Sequence, residues 1–275
     1  MNDETPALSP SIGMTLATAS PRDAWWQHRL LGGVEKPPSD ETDWGSVLHS
    51  LCFPGGKVIR VWQGNDFRSK EARAYRDQAR EDGHVPISAP KHEQAKVVAQ
   101  RILEGVLGFG YDLTAGETEV KVDWMEPSDH GEVLCRGYLD WLSEDRQLIL
   151  DLKTTRGSVH PDACAAALEK MTGAVQDVAY RRGVEFHSPK LAGRVQCIFL
   201  FAQTIAPFSV VPVICGSSMR ELGESRWNRA IAIWSQCLAA GREIEHWPSY
   251  VNPGDDPAIV EAPRWALTRE LEMDY

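Results

Sequence analysis

The fold is decided by the stretch Cys135-Arg-Gly-Tyr-Leu-Asp-Trp-Leu-Ser-Glu-Asp-Arg-Gln-Leu-Ile-Leu-Asp-Leu-Lys153. Two apolar segments in it flank the polar turn 143–146, which is short enough to join the strands of a β-hairpin. Side chains alternate between the two faces of a strand, so Ile149, Asp151 and Lys153 share one face of the second segment. The stretch therefore predicts a hairpin that carries an acid and an amine on the same face.

Asp151 and Lys153 admit two interpretations. Burying an unpaired charge is costly, and an ion pair on an edge strand would satisfy both groups without any further role. Asp140, however, lies near the turn in the first segment and would come to lie beside Asp151. Two carboxylates at one place suit Mg²⁺, and a neighbouring ammonium group can stabilise a phosphate or poise a water. The second interpretation is therefore a metal site that hydrolyses phosphate esters.

The rest of the chain predicts helices and further strands on both sides of this hairpin. Helices are predicted over 11–20, 22–31, from a cap at Asp43 to a stop at 54–56, and over 69–81, 90–107, 162–182 and 217–240. Strands are predicted over 57–63, 118–124, 131–142, 147–153, 195–203 and 208–214. This order predicts an α/β (α+β) fold with a central mixed β-sheet flanked by helices.

Length and composition indicate one large domain. The chain has 275 residues, of which 43% are apolar and 25% charged, as in ordinary globular proteins. We expect a flexible tail over 1–10, a single domain over 11–250 and a C-terminal tail over 251–275. No run of ~18 apolar residues marks a membrane span. The acidic start differs from a secretory signal, so a soluble, cytoplasmic protein is expected.

Charge and cysteine content narrow the class further. The net charge of −10 argues against a protein that coats nucleic acid through a broad basic surface, although an enzyme with a local basic channel remains compatible with it. The six cysteines are scattered, at positions 52, 135, 164, 197, 215 and 237. No two have the Cys-x-x-Cys spacing, so we expect free thiols and no iron–sulfur cluster.

Several segments resemble one nuclease superfamily. Gly137-Tyr-Leu-Asp140 followed by Asp151-Leu-Lys153 resembles the central signature of the PD-(D/E)xK nucleases. Gly45-Ser-Val-Leu-His49 resembles the upstream Gly-x-x-x-His motif of the RecB-like branch, and Gln176-Asp-Val-Ala-Tyr180 resembles its downstream Gln-x-x-x-Tyr motif. The motifs occur in the family's order and with similar spacing.

Within that branch the chain looks closest to the RecE-type (exonuclease VIII) nuclease domain of phages and prophages, over roughly residues 11–250. The segments that carry this resemblance are Asp151-Leu-Lys-Thr-Thr155, His160-Pro161, Tyr180-Arg-Arg-Gly183, Ala19-Ser-Pro21 and Trp247-Pro-Ser-Tyr250. One feature departs from the pattern. RecE-type sequences place a Glu after the strand that corresponds to 195–203, and this chain has no acid there.

The resemblance implies a restriction-endonuclease-like core and a set of site residues. The implied catalytic residues are Asp140, Asp151, Lys153, Gln176 and Tyr180. The implied ligands of Mg²⁺ or Mn²⁺ are His49, Asp140, Asp151 and the backbone carbonyl of Leu152, with Glu119 as a further candidate. From the residues alone, His49 could equally be a packed histidine, and the Gln176–Tyr180 pair one face of an amphipathic helix.

Four further residues are candidate DNA contacts. Thr154 and Thr155 follow the catalytic Lys in the motif. Lys70 and Arg73 lie on a mixed-charge helix, for which a solvated face is the alternative interpretation.

The resemblance also implies an activity and partners. RecE-type enzymes are processive exonucleases, so we expect digestion from the ends of linear double-stranded DNA during phage-type recombination. The implied setting is bacterial or phage-infected cytoplasm, with a single-strand annealing protein as partner. A homo-oligomer is expected, with the tryptophan-bearing helix 217–240 and the N-terminal tryptophans as candidate contact surfaces. The alternatives are an idle DNA-binding module and a CRISPR-associated nuclease, which usually holds an iron–sulfur cluster.

Overall fold

The computed structural model describes residues 4–33, 39–53 and 55–273. Its helices are α1 Pro10–Thr18, α2 Pro21–Gln27, α3 Asp40–Cys52, α4 Lys70–Glu81, α5 Ala89–Gly108, α6 Pro161–Lys170, α7 Gly173–His187, α8 Ser217–Ala240 and α9 Arg264–Met273. Its strands are β1 Ile59–Trp62, β2 Val85–Ser88, β3 Gly116–Ser128, β4 Gly131–Ser143, β5 Leu148–Thr155, β6 Gln196–Gln203 and β7 Val210–Ile214. The helices predicted over 69–81, 90–107 and 217–240 are confirmed to within one residue at each end.

A five-stranded mixed sheet forms the centre of the fold. Its order is β3-β4-β5-β6-β7, with β5 and β6 parallel and the other neighbours antiparallel. A separate parallel pair is formed by β1 and β2. The α+β prediction of a mixed sheet flanked by helices is confirmed, and the arrangement is consistent with a restriction-endonuclease-like core. Within the described residues, no helix combines the length and apolarity that crossing a membrane requires.

The two faces of the sheet pack against different helices. Ile149 and Phe199 belong to a core formed with α1, α7 and α8, whereas Leu150 and Leu200 belong to a second core formed with α3, α5 and β2. The alternation predicted for the strand 147–153 is therefore present. Burying a side chain of this size contributes about 1.5–3 kcal/mol, so both faces stabilise the sheet on which the site is built.

The alternation in β4 breaks near Asp140. Leu139 and Leu142 both lie in the first core, while Trp141 lies in the second. The pairs Thr118–Trp141 and Val120–Leu139 place Glu119 across from Asp140, and Glu119 has a left-handed φ of 52°. A left-handed residue re-aims a strand, so both strands change phase at this position.

The N-terminal segment belongs to the core. Leu8 is fully buried, its N–H donates to the carbonyl of Leu134 at 2.9 Å, and its own carbonyl accepts from Arg136 N at 3.0 Å. Residues 4–10 therefore do not form the flexible tail that was expected, since Leu8 bridges β4. At the other end, the expected tail 251–275 contains the helix α9.

Other local differences have physical causes. Asp43 does not cap α3: the cap is Ser39, whose hydroxyl accepts from Thr42 N at 3.2 Å while Thr42 Oγ1 accepts from Ser39 N at 2.8 Å. The helix predicted over 162–182 is interrupted because Met171 has an extended backbone with φ −88° and ψ −157°, which ends α6 before α7 begins at Gly173.

The tryptophans of α8 do not form a contact surface. Trp227 and Trp234 are fully buried in the core, so these two rings cannot supply the candidate contact surface on the helix 217–240, whereas Trp26 in the N-terminal segment is 44% exposed. Trp227 Nε1 donates to Glu126 Oε1 at 3.1 Å, and Trp124 Nε1 donates to the same atom at 3.0 Å. A buried carboxylate thus joins two core indoles.

Two segments that are distant in sequence are joined by hydrogen bonds. Arg22 Nε donates to the carbonyl of Trp247 at 3.1 Å, and Arg22 N donates to the carbonyl of Pro248 at 3.1 Å. Trp25 Nε1 donates to the carbonyl of Arg242 at 2.7 Å. The segment after Pro21 is therefore hydrogen-bonded to the Trp247-Pro-Ser-Tyr250 segment, although Arg22 and Trp247 are 225 residues apart in sequence.

Candidate active site

Asp140 and Asp151 meet where β4 and β5 separate. These strands pair at Leu142–Ile149 and Trp141–Leu150, and the same register extended by one residue places Asp140 across from Asp151. At this point Leu152 N donates to Asp140 Oδ2 at 2.7 Å instead of to a backbone carbonyl. The side chain of Asp140 thus takes over a sheet hydrogen bond, and this fixes its position beside Asp151.

His49 reaches the same place from α3. Its Nε2 lies 3.1 Å from the carbonyl oxygen of Leu152 and 3.3 Å from Asp140 Oδ2. The ring also packs at 5.7 Å from the ring of Phe53. The imidazole, the carboxylate and the backbone carbonyl that the resemblance implied as ligands therefore converge in the structure.

Asp151 and Lys153 form a close ion pair. Asp151 is buried, and its Oδ1 lies 2.5 Å from Lys153 Nζ. The approach lies outside hydrogen-bond geometry, so this oxygen has no hydrogen-bond partner among the described residues. Burial alone would lower the pKa of Lys153, but the charges of Asp151 and Asp140 outweigh it and the pKa is raised. The ammonium form of Lys153 is therefore stabilised.

The two carboxyl groups repel each other. Burial, and then the negative charge of Asp151, raise the pKa of Asp140 to about 7, while His49 and Lys153 act in the opposite direction. Like charges held this close disfavour double ionisation unless a cation lies between them.

Lys153 is held by a pair of residues on α7. Lys153 Nζ donates to Gln176 Oε1 at 3.0 Å, and Gln176 Nε2 donates to the hydroxyl of Tyr180 at 3.0 Å. Tyr180 is 6% exposed and packs on Gly137, where a Cβ would lie only 2.9 Å from its ring. The predicted residues Gln176 and Tyr180 thus orient Lys153, and Gly137 makes room for them.

Asp177 anchors α7 beneath this pair. It is fully buried, and its Oδ2 lies 3.1 Å from Arg181 Nη2 and 3.6 Å from Arg220 Nε of α8. Burial raises its pKa, and the two arginines partly offset this effect. Asp177 was not among the predicted residues, although an acid on the apolar face of an amphipathic helix was an available signal.

The residues present fit a divalent cation. No three His, Cys, Asp or Glu side chains within the described residues lie close enough to hold a metal by themselves. The carboxylates of Asp140 and Asp151 and the carbonyl of Leu152 are nevertheless hard oxygens of the kind that bind Mg²⁺, which keeps several waters. A cation there would also offset the repulsion between the two carboxylates, which together with burial raises the pKa of Asp140. Glu119 lies across from Asp140 on the neighbouring strand.

The site opens into two adjoining grooves. One, of about 350 Å³, is lined by His49, Leu152 and Lys153, and the other, of about 660 Å³, lies on the far side of Thr154 and Thr155, which line both. The predicted contacts Thr154 and Thr155 are therefore next to the site.

The predicted contacts on α4 are not brought to the site. Lys70 and Arg73 are exposed and line neither groove. On the same helix, Arg80 Nη2 is paired with Asp43 Oδ2 at 2.6 Å. The Glu that RecE-type sequences place after the strand corresponding to β6 is absent here. In this segment Thr204 N donates to the carbonyl of Thr155 at 2.9 Å, so a backbone hydrogen bond holds the segment after β6.

The cysteines lie away from the surface. All six are buried and free of disulfides. Cys197 on β6 is paired with Ile149 beneath the site, and burial raises its pKa well above the usual value. These thiols contribute to packing and not to exposed chemistry.

Comparisons with known proteins give a similarity in fold. No protein-family model and no curated protein matches the chain. The crystal structure of a "putative exonuclease" from Eubacterium rectale aligns with a TM-score of 0.53 at 12% identity, covering 81% of this chain and 78% of that one. The crystal structure of SSO0001 aligns with a TM-score of 0.28 at 13% identity, covering 68% of this chain and 84% of that one, and this TM-score is too low to indicate a shared fold. The chain therefore shares its fold with the first protein.

Proposed function

We propose that this protein is a metal-dependent nuclease that hydrolyses phosphodiester bonds in DNA with Mg²⁺, or with Mn²⁺ in its place. The observation that carries the proposal is the convergence of Asp140, Asp151 and Lys153 where β4 and β5 separate, beside an open groove. A structural ion pair would not require a second, half-buried carboxylate across the hairpin or a two-residue hydrogen-bonded support for the lysine.

The residues divide the chemistry between them. Asp140, Asp151 and the carbonyl of Leu152 would hold the ion, which when bound supplies Lewis acidity and lowers the pKa of a bound water. His49 contacts both Asp140 and Leu152 and orients these two oxygens. Lys153, fixed by Gln176, presents its ammonium to a non-bridging phosphate oxygen and stabilises the negative charge that develops during hydrolysis.

We further propose that the enzyme is an exonuclease that acts at the ends of linear double-stranded DNA in phage-type recombination. The motif resemblance supports this, and so does the shared fold with a protein described as an exonuclease. The net charge of −10 suits an enzyme that grips DNA locally rather than over a broad basic exterior. A homo-oligomer, a single-strand annealing protein as partner and a cytoplasmic location complete the proposal.

The test is a time course of digestion of one plasmid in circular and in linearised form, with Mg²⁺ and with chelator. The proposal expects the linear form to be degraded only with metal, the closed circle to be spared, and the Asp151→Asn variant to be inactive. Equal digestion of both forms would mean an endonuclease. Binding of DNA without cleavage by the unaltered protein in either metal would instead identify an idle DNA-binding module.

A further inference from the structure

The larger groove beside the site has no assigned role. Its volume is about 660 Å³, and it is lined from the helix side by Trp44, Gly45 and Lys91 and from the sheet side by Thr154 and Arg156. Thr154 follows Lys153 directly and points to the opposite face of β5, because side chains alternate along a strand. The groove therefore continues from the reacting centre, around the carboxyl end of β5, to the α3 and α5 side of the sheet.

The groove is equipped for anions. Lys91 and Arg156 are both exposed, and neither makes an ion pair with any residue in the described part of the chain. Asp40 also lines the groove and shares Arg80 with Asp43, at 3.4 Å and 2.6 Å, so one negative charge remains against the two cations. In a protein with a net charge of −10, two unpaired cations in one groove form a local positive site.

The opposite wall offers an aromatic surface. Trp44 is half-buried, packed on its inner side against the second core while the groove borders it. The neighbouring Gly45 leaves the groove open, since a Cβ there would meet only Thr154 Oγ1, at 3.9 Å. An aromatic ring stacks on a base of any sequence, but only when that base is unpaired, because base faces inside a duplex are already covered.

We propose that this groove binds a single nucleic-acid strand next to the scissile phosphate, with a backbone phosphate between Lys91 and Arg156 and an unpaired base against Trp44. This inference rests on the proposed nuclease function and deepens it by naming the form of the substrate. The duplex must then open at its end, so that one strand crosses the carboxyl end of β5 and enters the groove.

The experiment measures the fluorescence anisotropy of a labelled single-stranded oligonucleotide with the Asp151→Asn protein in chelator, so that binding is observed without cleavage. Lys91→Ala and Arg156→Ala should each weaken binding and lower the slope of log Kd against log salt by about 0.7, the value for one phosphate contact on a single strand. Trp44→Leu should raise Kd at least about five-fold through lost stacking. Lys96→Ala is the matched control, because Lys96 lies on the same helix but is paired with Glu93 at 2.7 Å.

The outcomes separate the inference from the function on which it rests. If Lys91→Ala and Arg156→Ala bind as the Lys96→Ala control does, while the unaltered protein cleaves DNA, the groove assignment is overturned and the nuclease stands. If these variants lose affinity for blunt duplex and single strand equally, the single-strand assignment is overturned. A protein that neither binds nor cleaves DNA overturns both proposals. Thermal melting identifies any loss of folding in Trp44→Leu, and the two surface cations then decide the question.

Discussion

Gly137→Ala tests whether the packing of Tyr180 controls the position of Lys153. A Cβ at Gly137 would lie 2.9 Å from Tyr180 Cε1 and 3.0 Å from Cδ1, inside normal contact distance. Tyr180 is 6% exposed and cannot simply turn outward, so its ring must be displaced. Gln176 would move with it, since Gln176 joins the tyrosine hydroxyl to the lysine ammonium.

The expected size of the effect follows from these contacts. Overpacking of a core costs about 1–3 kcal/mol, and replacing a strand glycine by alanine recovers part of it, which leaves a net loss of about 1–2 kcal/mol. For a domain of this size that lowers Tm by about 2–8 °C. A misplacement of about 1 Å can cost about 100-fold in rate, so a shift of about 0.5 Å at Lys153 should lower kcat about ten-fold.

The assay is calorimetric melting together with single-turnover cleavage of linear duplex in saturating Mg²⁺. Two further variants separate packing from hydrogen bonding. Tyr180→Phe keeps the ring, so it should keep Tm while lowering kcat. Gly137→Ala combined with Tyr180→Leu relieves the clash, so the double variant should lose less Tm than the two single substitutions together, while kcat stays low. Unchanged Tm and kcat in Gly137→Ala would refute the reasoning, because the ring would then have no role in placing the lysine.

Three other substitutions test the site and the core. Asp151→Asn should abolish cleavage in a folded protein and weaken Mg²⁺ binding in calorimetry; unchanged Mg²⁺ affinity would rule out Asp151 as a ligand. Lys153→Ala should lower kcat with little change in DNA affinity, whereas a large fall in Tm with nearly normal cleavage would mean a structural ion pair. Glu126→Ala should leave the buried N–H groups of Trp124 and Trp227 without an acceptor, which costs about 1–3 kcal/mol each. Urea denaturation measures this loss, and a stability equal to that of the unaltered protein would contradict it.

The hairpin could be predicted because its signals are local. Period-two alternation over 147–153 and a short polar turn define both strands, and their register then follows from the turn length. The same reasoning placed Asp140 beside Asp151, and the structure has them across from each other. The separation of β4 and β5 at this point could not be predicted, because it depends on Leu152 N donating to the side chain of Asp140 and not to a backbone carbonyl.

Elements without periodic signals were harder to predict. β2 has only four residues, one of them Pro86, and the connection between β1 and β2 contains the helix α4. The cap of α3 uses Ser39 and Thr42, whereas the usual signature of a capping box has Glu or Gln at the third position. Lys91 and Arg156 gave no signal at all, since a lone exposed cation becomes informative only when tertiary structure brings it to a groove.

The hydrogen bond between Arg22 and the carbonyl of Trp247 has a consequence for folding during synthesis. The two residues are 225 positions apart, so on the ribosome the N-terminal helices are synthesised long before their docking partner exists. At about 5–20 residues per second, the delay is roughly 10–45 s. During that interval the buried positions of α1 and α2 have no α8 to cover them. The nascent chain therefore presents an apolar segment to chaperones until α8 and the segment around Trp247 have been synthesised, and slow codons before Trp247 would prolong that exposure.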